Sequence, residues 1–255
     1  MSAAGLVGLT LRARRRRLLA LVAFAAVFLA AALTGRVLAT GEHGQVDVNV
    51  LFVVGGLPLA SGLLVLGWIL GRYPLVAVLV LMAGLVSHDR TEGYARVYAV
   101  RPTSLLGIYG TRFLALGAAA FALSAVLMPT FDLIMLGGEW AGPATFVLIL
   151  AYVICYGGLV ALLSVWTRGD VWIALLLALL ALVWNALSQA GMLAGAPPGT
   201  VELITFLLPP QGQFLRLEGA FAGVQPIPWD AFAFIAGYGV VMLALAGLSL
   251  AGREV

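Results

Sequence analysis

Charged and polar side chains are concentrated in one interval of the chain, which we call the connector and which extends from His88 to Arg112. It opens with the run Asp89-Arg90-Thr91-Glu92-Gly93, and apolar runs flank it from Leu75 to Val86 and from Phe113 to Met128. Apolar runs of this kind are typical of membrane spans, so the connector is predicted to lie at a membrane surface. Its acids and bases form either a solvated face or a surface that contacts another protein.

The sequence contains none of the common catalytic patterns. G-x-S-x-G, H-E-x-x-H and a pair of intramembrane Asp residues are all missing. All 14 basic residues are Arg, so the chain also has no Lys with which to build a phosphate-binding P-loop. His43 and His88 lack the neighbouring Cys or carboxylates of a metal site. We therefore expect neither an enzyme nor a metal protein, and any ATP must be bound by a different chain.

The composition is that of a membrane protein. Hydrophobic residues make up 63% of the sequence and charged residues only 10%, and the mean hydropathy is +1.09. The 31 Gly residues allow helices to approach closely in lipid. The single Cys155 lies in an apolar run and is predicted to be a small core residue. The sequence predicts an all-α, polytopic membrane protein that forms one transmembrane domain over residues 1–255.

Six spans are predicted from the apolar runs. Their approximate bounds are 18–39, 62–87, 112–132, 143–165, 171–193 and 231–251. Residues 50–71 overlap the start of the second span, and the sequence leaves open whether they cross, re-enter or lie on the outer face. Between the last two spans, repeated prolines predict broken helices at the outer face.

The distribution of Arg predicts the orientation. The predicted inner segments hold 11 of the 14 Arg residues, and only Arg36, Arg72 and Arg216 lie elsewhere. Arg residues accumulate on the cytoplasmic side, so both termini are expected in the cytoplasm and the protein in the cell membrane. Nucleic-acid binding is a competing interpretation of the Arg cluster at residues 12–17, and a signal peptide cleaved near residue 39 is a competing interpretation of the first span. Membrane anchorage is favoured over both, and no nucleic-acid partner is expected.

Gly and Pro divide the connector. Gly93 is suited to end a helix that leaves the second span, and Pro102 is suited to begin the next helix. Residues Tyr94 to Val100 between them are predicted to form a short helix along the membrane surface. A short rigid helix held between two spans can act as a lever.

The connector resembles the corresponding segment of type-2 ABC transporter permeases. The resemblance rests on the acidic run that ends at Gly93, on Pro102 followed by Ser104, and on Arg112 opening the next span. It extends to the six-span layout and to the Pro-containing segment of residues 207–216. The sequence departs from the usual pattern of this family at three positions: Tyr94, Leu105 and Gly110.

The resemblance implies an exporter subunit that works with other chains. The partners would be an ATP-binding-cassette ATPase, which carries ATP and Mg, and a second permease in a homodimer or heterodimer within the lipid bilayer. The residues that would couple the permease to the ATPase are Asp89, Arg90, Glu92, Gly93, Tyr94, Arg96, Pro102, Ser104 and Arg112.

Polar residues in the predicted spans suggest further contacts. Tyr152 and Tyr156 lie one helical turn apart, and Asn185, Ser188 and Gln189 lie near one face of the fifth span. Each set either lines a transport path or binds a neighbouring helix. An ion-coupled secondary transporter, or another multi-pass protein without a nucleotide-driven partner, is the alternative function. Such transporters place Asp, Glu or His near the bilayer midplane, and the predicted span centres have none.

Overall fold

The structure is a computed structural model of the chain, and it describes residues 3–38, 71–92, 104–135, 142–193, 195, 197, 199–221 and 226–252. Within these ranges the chain forms ten α-helices and no strand. In chain order they are α1 (Ala3–Ala13), α2 (Arg15–Leu38), α3 (Tyr73–Met82), α4 (Ser87–Thr91), α5 (Leu105–Met135), α6 (Ala144–Trp166), α7 (Asp170–Gln189), α8 (Thr200–Leu207), α9 (Gln211–Phe221) and α10 (Trp229–Ala251).

Six helical segments in the described ranges are long and apolar enough to cross a membrane. They are Arg15–Thr34, Tyr73–Thr91, Leu105–Met135, Ala144–Trp166, Asp170–Gln189 and Trp229–Ala251. About 20 apolar residues are needed to cross the hydrocarbon core at a rise of about 1.5 Å per residue. The predicted all-α, polytopic fold is confirmed, and the chain is a multi-pass membrane protein.

Helix α6 is the centre of the bundle. Most of its residues are buried, whereas α2, α7 and α10 expose many large apolar side chains. Its closest neighbour is α10, and the two backbones meet at Gly158 and Gly239. A Cβ atom added to Gly158 would overlap the carbonyl of Gly239, and one added to Gly239 would overlap the carbonyl of Ile154. Small residues at such crossings let membrane helices pack by close backbone contact.

The second span is broken. Helix α3 begins with Pro74 in its first turn, where a missing N–H is harmless, and it ends at Met82. A turn at residues 83–86 follows, in which Gly84 has a φ of +70°, and α4 then continues to Thr91. The sequence predicted a span that ends near residue 87 and did not predict this break. The predicted start of the span near residue 62 lies outside the described residues.

The segment between the last two spans is a pair of short helices, α8 and α9, separated by Pro209 and Pro210. The prolines predicted this break, and the segment is also packed into the bundle. Helix α9 packs against α6, α7 and α10, and Gln211 at its start reaches Tyr156 near the middle of α6. We call α8 and α9 together the re-entrant pair. Irregular backbone at this depth is tolerated because protein surrounds it.

Candidate functional site

An ion pair joins the two ends of the connector. Asp89 of α4 is buried with only 6% exposure, and its carboxylate pairs with the guanidinium of Arg112 on α5. The Tyr109 hydroxyl donates to the same carboxylate oxygen at 3.3 Å, and the guanidinium carbon of Arg112 lies 5.6 Å from the centre of the Tyr109 ring. The side chains of Asp89, Tyr109 and Arg112 therefore link α4 directly to the first part of α5 in one charged, partly buried contact.

Arg90 ties the connector to a third helix. Its guanidinium donates to the backbone carbonyl of Val165 at the end of α6. The last carbonyls of a helix have no partner within the helix and carry partial negative charge, so a cation is well placed there. Glu92, two residues further along, is exposed. The beginning of the connector is thus fixed by Asp89 and Arg90, while Glu92 remains accessible to another protein.

The remaining predicted coupling residues fall into two groups. The Ser104 side-chain oxygen accepts from the backbone N–H of Gly107 at 3.1 Å, so Ser104 caps the start of α5. The others lie outside the described residues, and with them lies the predicted lever helix: Gly93, Tyr94, Arg96 and Pro102.

Side chains from two other helices bind the free N–H groups of the turn at residues 83–86. The Asp170 carboxylate accepts from the N–H of Gly84 at 2.9 Å. The Ser164 hydroxyl oxygen accepts from the N–H groups of Val86 and Ser87 at 2.8 and 3.0 Å. Asp170 and Ser164 are both buried. A break in a membrane helix leaves backbone groups that water cannot reach, and these two side chains replace the missing partners.

Two arginines near the start of the chain bind carbonyls of the same turn and of the last part of α3. Arg17 donates to the carbonyls of Ala83 and Val80 at 2.7 and 3.1 Å, and Arg14 donates to the carbonyl of Gly84 at 3.1 Å. Burial, and next the neighbouring charge of Arg17, lower the pKa of Arg14 to about 10. This pKa is still well above neutral pH, so Arg14 keeps its charge in the cell.

From the sequence, Arg14 and Arg17 indicate only the orientation, and Asp170 and Ser164 belong to a turn and to a span. The contacts of these four residues with the turn at residues 83–86 were therefore not predicted. One signal was available, since Asp170 is an acid at the first position of an apolar helix. We call the end of the bundle that holds Arg14, Asp170 and the Asp89–Arg112 pair the arginine-rich end.

A second polar cluster lies toward the opposite end. Arg72 pairs with Glu218 of α9 at 3.2 Å, and the Tyr152 hydroxyl donates to the other carboxylate oxygen of Glu218 at 2.8 Å. One turn deeper, the Gln211 amide donates to the Tyr156 hydroxyl. These contacts hold the re-entrant pair against α6.

An aromatic stack accompanies this cluster. The ring of Phe214 on α9 is fully buried, and its centre lies 4.4 Å from that of Tyr152 and 5.8 Å from that of Tyr156. Of the two uses that the sequence left open for these tyrosines, the geometry favours contact with a neighbouring helix.

The polar residues of α7 separate into two groups. Asn185 and Ser188 line a cleft between α7, the re-entrant pair and α10, whereas Gln189 does not line it. Cys155 is buried in the core as predicted.

Comparison of the chain with known protein families, with curated proteins and with solved structures gave no match. A functional assignment therefore has to come from the residues and contacts of the chain itself.

Proposed function

We propose that the chain is the membrane-spanning permease subunit of an ATP-binding-cassette exporter of the type-2 class. In this proposal a separate ATPase subunit binds ATP and Mg, and the chain works with a second permease copy, identical or different. The arginine-rich end faces the cytoplasm because Arg residues accumulate there. Both termini are then cytoplasmic, and the chain lies in the cell membrane.

The observation that carries this proposal is the attachment of the first residues of the connector to two further helices. Asp89 and Arg90 belong to the run that resembles the permease family, and they bind Arg112 of α5 and Val165 of α6. A surface loop that only linked two spans would need neither contact. A force applied to the connector is passed directly to α5 and α6 through these bonds.

The broken second span supports the same mechanism. The turn at residues 83–86 lies directly before α4. It connects α4 to α3 as a hinge, in place of a continuous helix. Ser164 and Asp170 from neighbouring helices bind this hinge through hydrogen bonds. When the ATPase closes, α4 and the connector can move against α3 while the hydrogen bonds of the turn guide the motion.

The placement of acidic residues weighs against the alternative of an ion-coupled secondary transporter. Within the described part of the chain the buried acids are Asp89, Asp132 and Asp170, and each lies near the end of a helix. A proton or sodium site is expected near the middle of the spans.

Affinity purification from native membranes tests the proposal. The tagged chain is expected to retain a P-loop ATPase, and the reconstituted complex to hydrolyse ATP and move substrate outward. The chain alone is expected to hydrolyse no ATP because it has no Lys for a phosphate-binding loop. A chain that transports in vesicles without any ATPase, driven by an ion gradient, would contradict the proposal.

A further inference from the structure

A cleft of about 120 Å³ lies between the polar face of α7 and the tip of the re-entrant pair. Trp184, Asn185 and Ser188 contribute from α7, and Phe234 closes the cleft from α10. The tip of the re-entrant pair supplies the facing wall through Pro209 to Gln213. The cleft opens at the surface of the bundle, toward the end opposite the arginine-rich end.

Two polar side chains face this cleft with unused hydrogen-bonding capacity. The Asn185 amide and the Ser188 hydroxyl have no hydrogen-bond partner among the residues that the structure describes, whereas the neighbouring Trp184 indole N–H donates to Thr205 at 3.0 Å. Asn185 is half-buried and Ser188 is exposed, so a ligand can reach both side chains from the mouth of the cleft. Amides and hydroxyls both donate and accept, and a ligand hydroxyl group matches both.

Glycine keeps the space beside Asn185 open. A Cβ atom on Gly212 would stand 3.1 Å from the Asn185 side-chain oxygen, which is tighter than an ordinary contact. Any larger residue at this position would press on the amide and narrow the cleft.

The cleft is electrically neutral. In the part of the chain that is described, no charged side chain lines it. The charged residues of α9 are held in ion pairs, Arg216 with Asp230 at 2.7 Å and Glu218 with Arg72 at 3.2 Å. A charged ligand group would find no counterion here, and burying an unpaired charge is far more costly than burying a neutral polar group.

Helix α8 provides an apolar surface beside the cleft. None of its residues is buried, and it exposes three large apolar side chains: Leu203, Phe206 and Leu207. We propose that the cleft binds the neutral, hydroxyl-bearing headgroup of an amphiphile whose apolar chain lies against α8. Asn185 and Ser188 bind the hydroxyl groups, and the rings of Trp184 and Phe234 cover the headgroup.

Protection of a cysteine against alkylation tests this site. Ser188→Cys is introduced with Cys155→Ala, and the protein is placed in phosphatidylcholine nanodiscs without any ATPase, so the outcome is independent of the proposed export function. The probe is octyl glucoside below its critical micelle concentration. It is expected to slow maleimide labelling of the cysteine at position 188 by about fivefold at saturation. Gln189→Cys is the matched control, since Gln189 is exposed like Ser188 but lies outside the cleft, and its labelling rate is expected to stay constant.

Two further variants test the residues that bind the headgroup, and three further probes test which ligand groups the cleft accepts. Asn185→Ala is expected to weaken protection by octyl glucoside about fivefold, the usual effect of one hydrogen bond. Gly212→Ala should weaken it as well, by narrowing the cleft. Octyl sulfate, octyltrimethylammonium and free glucose are expected to protect poorly. Equal protection by the charged octyl compounds or by free glucose overturns the proposal, as does full protection in the Asn185→Ala variant or no protection at all.

Discussion

Asp89 and Arg112 are 23 positions apart, and their side chains form an ion pair that closes the connector at its base. The carboxylate is more deeply buried than the guanidinium, with side-chain exposures of 9% and 18%. Breaking a buried pair by removing one charge leaves the other charge poorly compensated. The pair is therefore the first contact to test for both stability and coupling.

Asp89→Asn should destabilise the fold by about 2 kcal/mol, since the pair is only partly buried. The buried thiol of Cys155 reports unfolding, because it reacts with maleimides only when the core opens. Arg112→Gln should lower the free energy of unfolding by a similar amount. The double variant should lose less stability than the sum of the two single losses. Strictly additive losses would show that the two side chains do not interact.

Glu92→Arg should weaken binding of the ATPase while the permease stays folded. Glu92 is exposed and lies two positions after the fixed Arg90, so a reversed charge at Glu92 alters the docking surface and little else. Co-purification of the ATPase gives the measurement, with Cys155 reactivity as the check on folding. Glu202→Arg is the control, because Glu202 is exposed on α8 near the opposite end. Equal capture by both variants would argue against a role of Glu92 in docking.

Ser164→Ala should destabilise the protein by about 2 kcal/mol, since two backbone N–H groups lose their acceptor in a buried site. Ser124→Ala is a matched control. Ser124 is equally buried, but its hydroxyl only donates to the carbonyl of Ala120 in its own helix, at 2.8 Å. Its removal leaves no N–H group without a partner and should cost well under about 1 kcal/mol. Thermal unfolding in nanodiscs, followed through Cys155, compares the two variants.

Gly158→Ala should destabilise the bundle by about 3 kcal/mol or prevent insertion, because the new methyl group overlaps the backbone of α10. Gly237→Ala is the control on α10. A Cβ atom there meets no atom within 4 Å, and alanine has the higher helix propensity. This variant should be neutral or slightly stabilising. Similar melting temperatures for both variants would contradict the close backbone crossing.

Single cysteines in a Cys155→Ala background test the orientation. Glu92→Cys should react with a membrane-impermeant maleimide only after the cells are opened, because it lies at the arginine-rich end. Gly195→Cys lies beyond the other end of α7, and it should react in intact cells. The reverse pattern would invert the proposed topology.

The sequence by itself determined the class of the protein and the presence of its spans. Hydropathy acts locally, because about 20 consecutive apolar residues suffice to favour lipid whatever their neighbours are. The prolines at positions 209 and 210 likewise predicted a break, since proline cannot continue a helix. The connector was visible because charges are rare elsewhere in the chain.

Only the tertiary structure decided how these elements are joined. The break at residues 83–86 exists because Ser164, Asp170, Arg14 and Arg17 bind its backbone groups, and all four are distant in sequence. The depth of the re-entrant pair depends in the same way on contacts to α6. Hydropathy cannot reveal such contacts, because a polar side chain contributes the same value to the hydropathy of a span whether it faces a ligand, a helix or a broken turn. Which of these it meets is set by the packing of helices whose sequences are far apart.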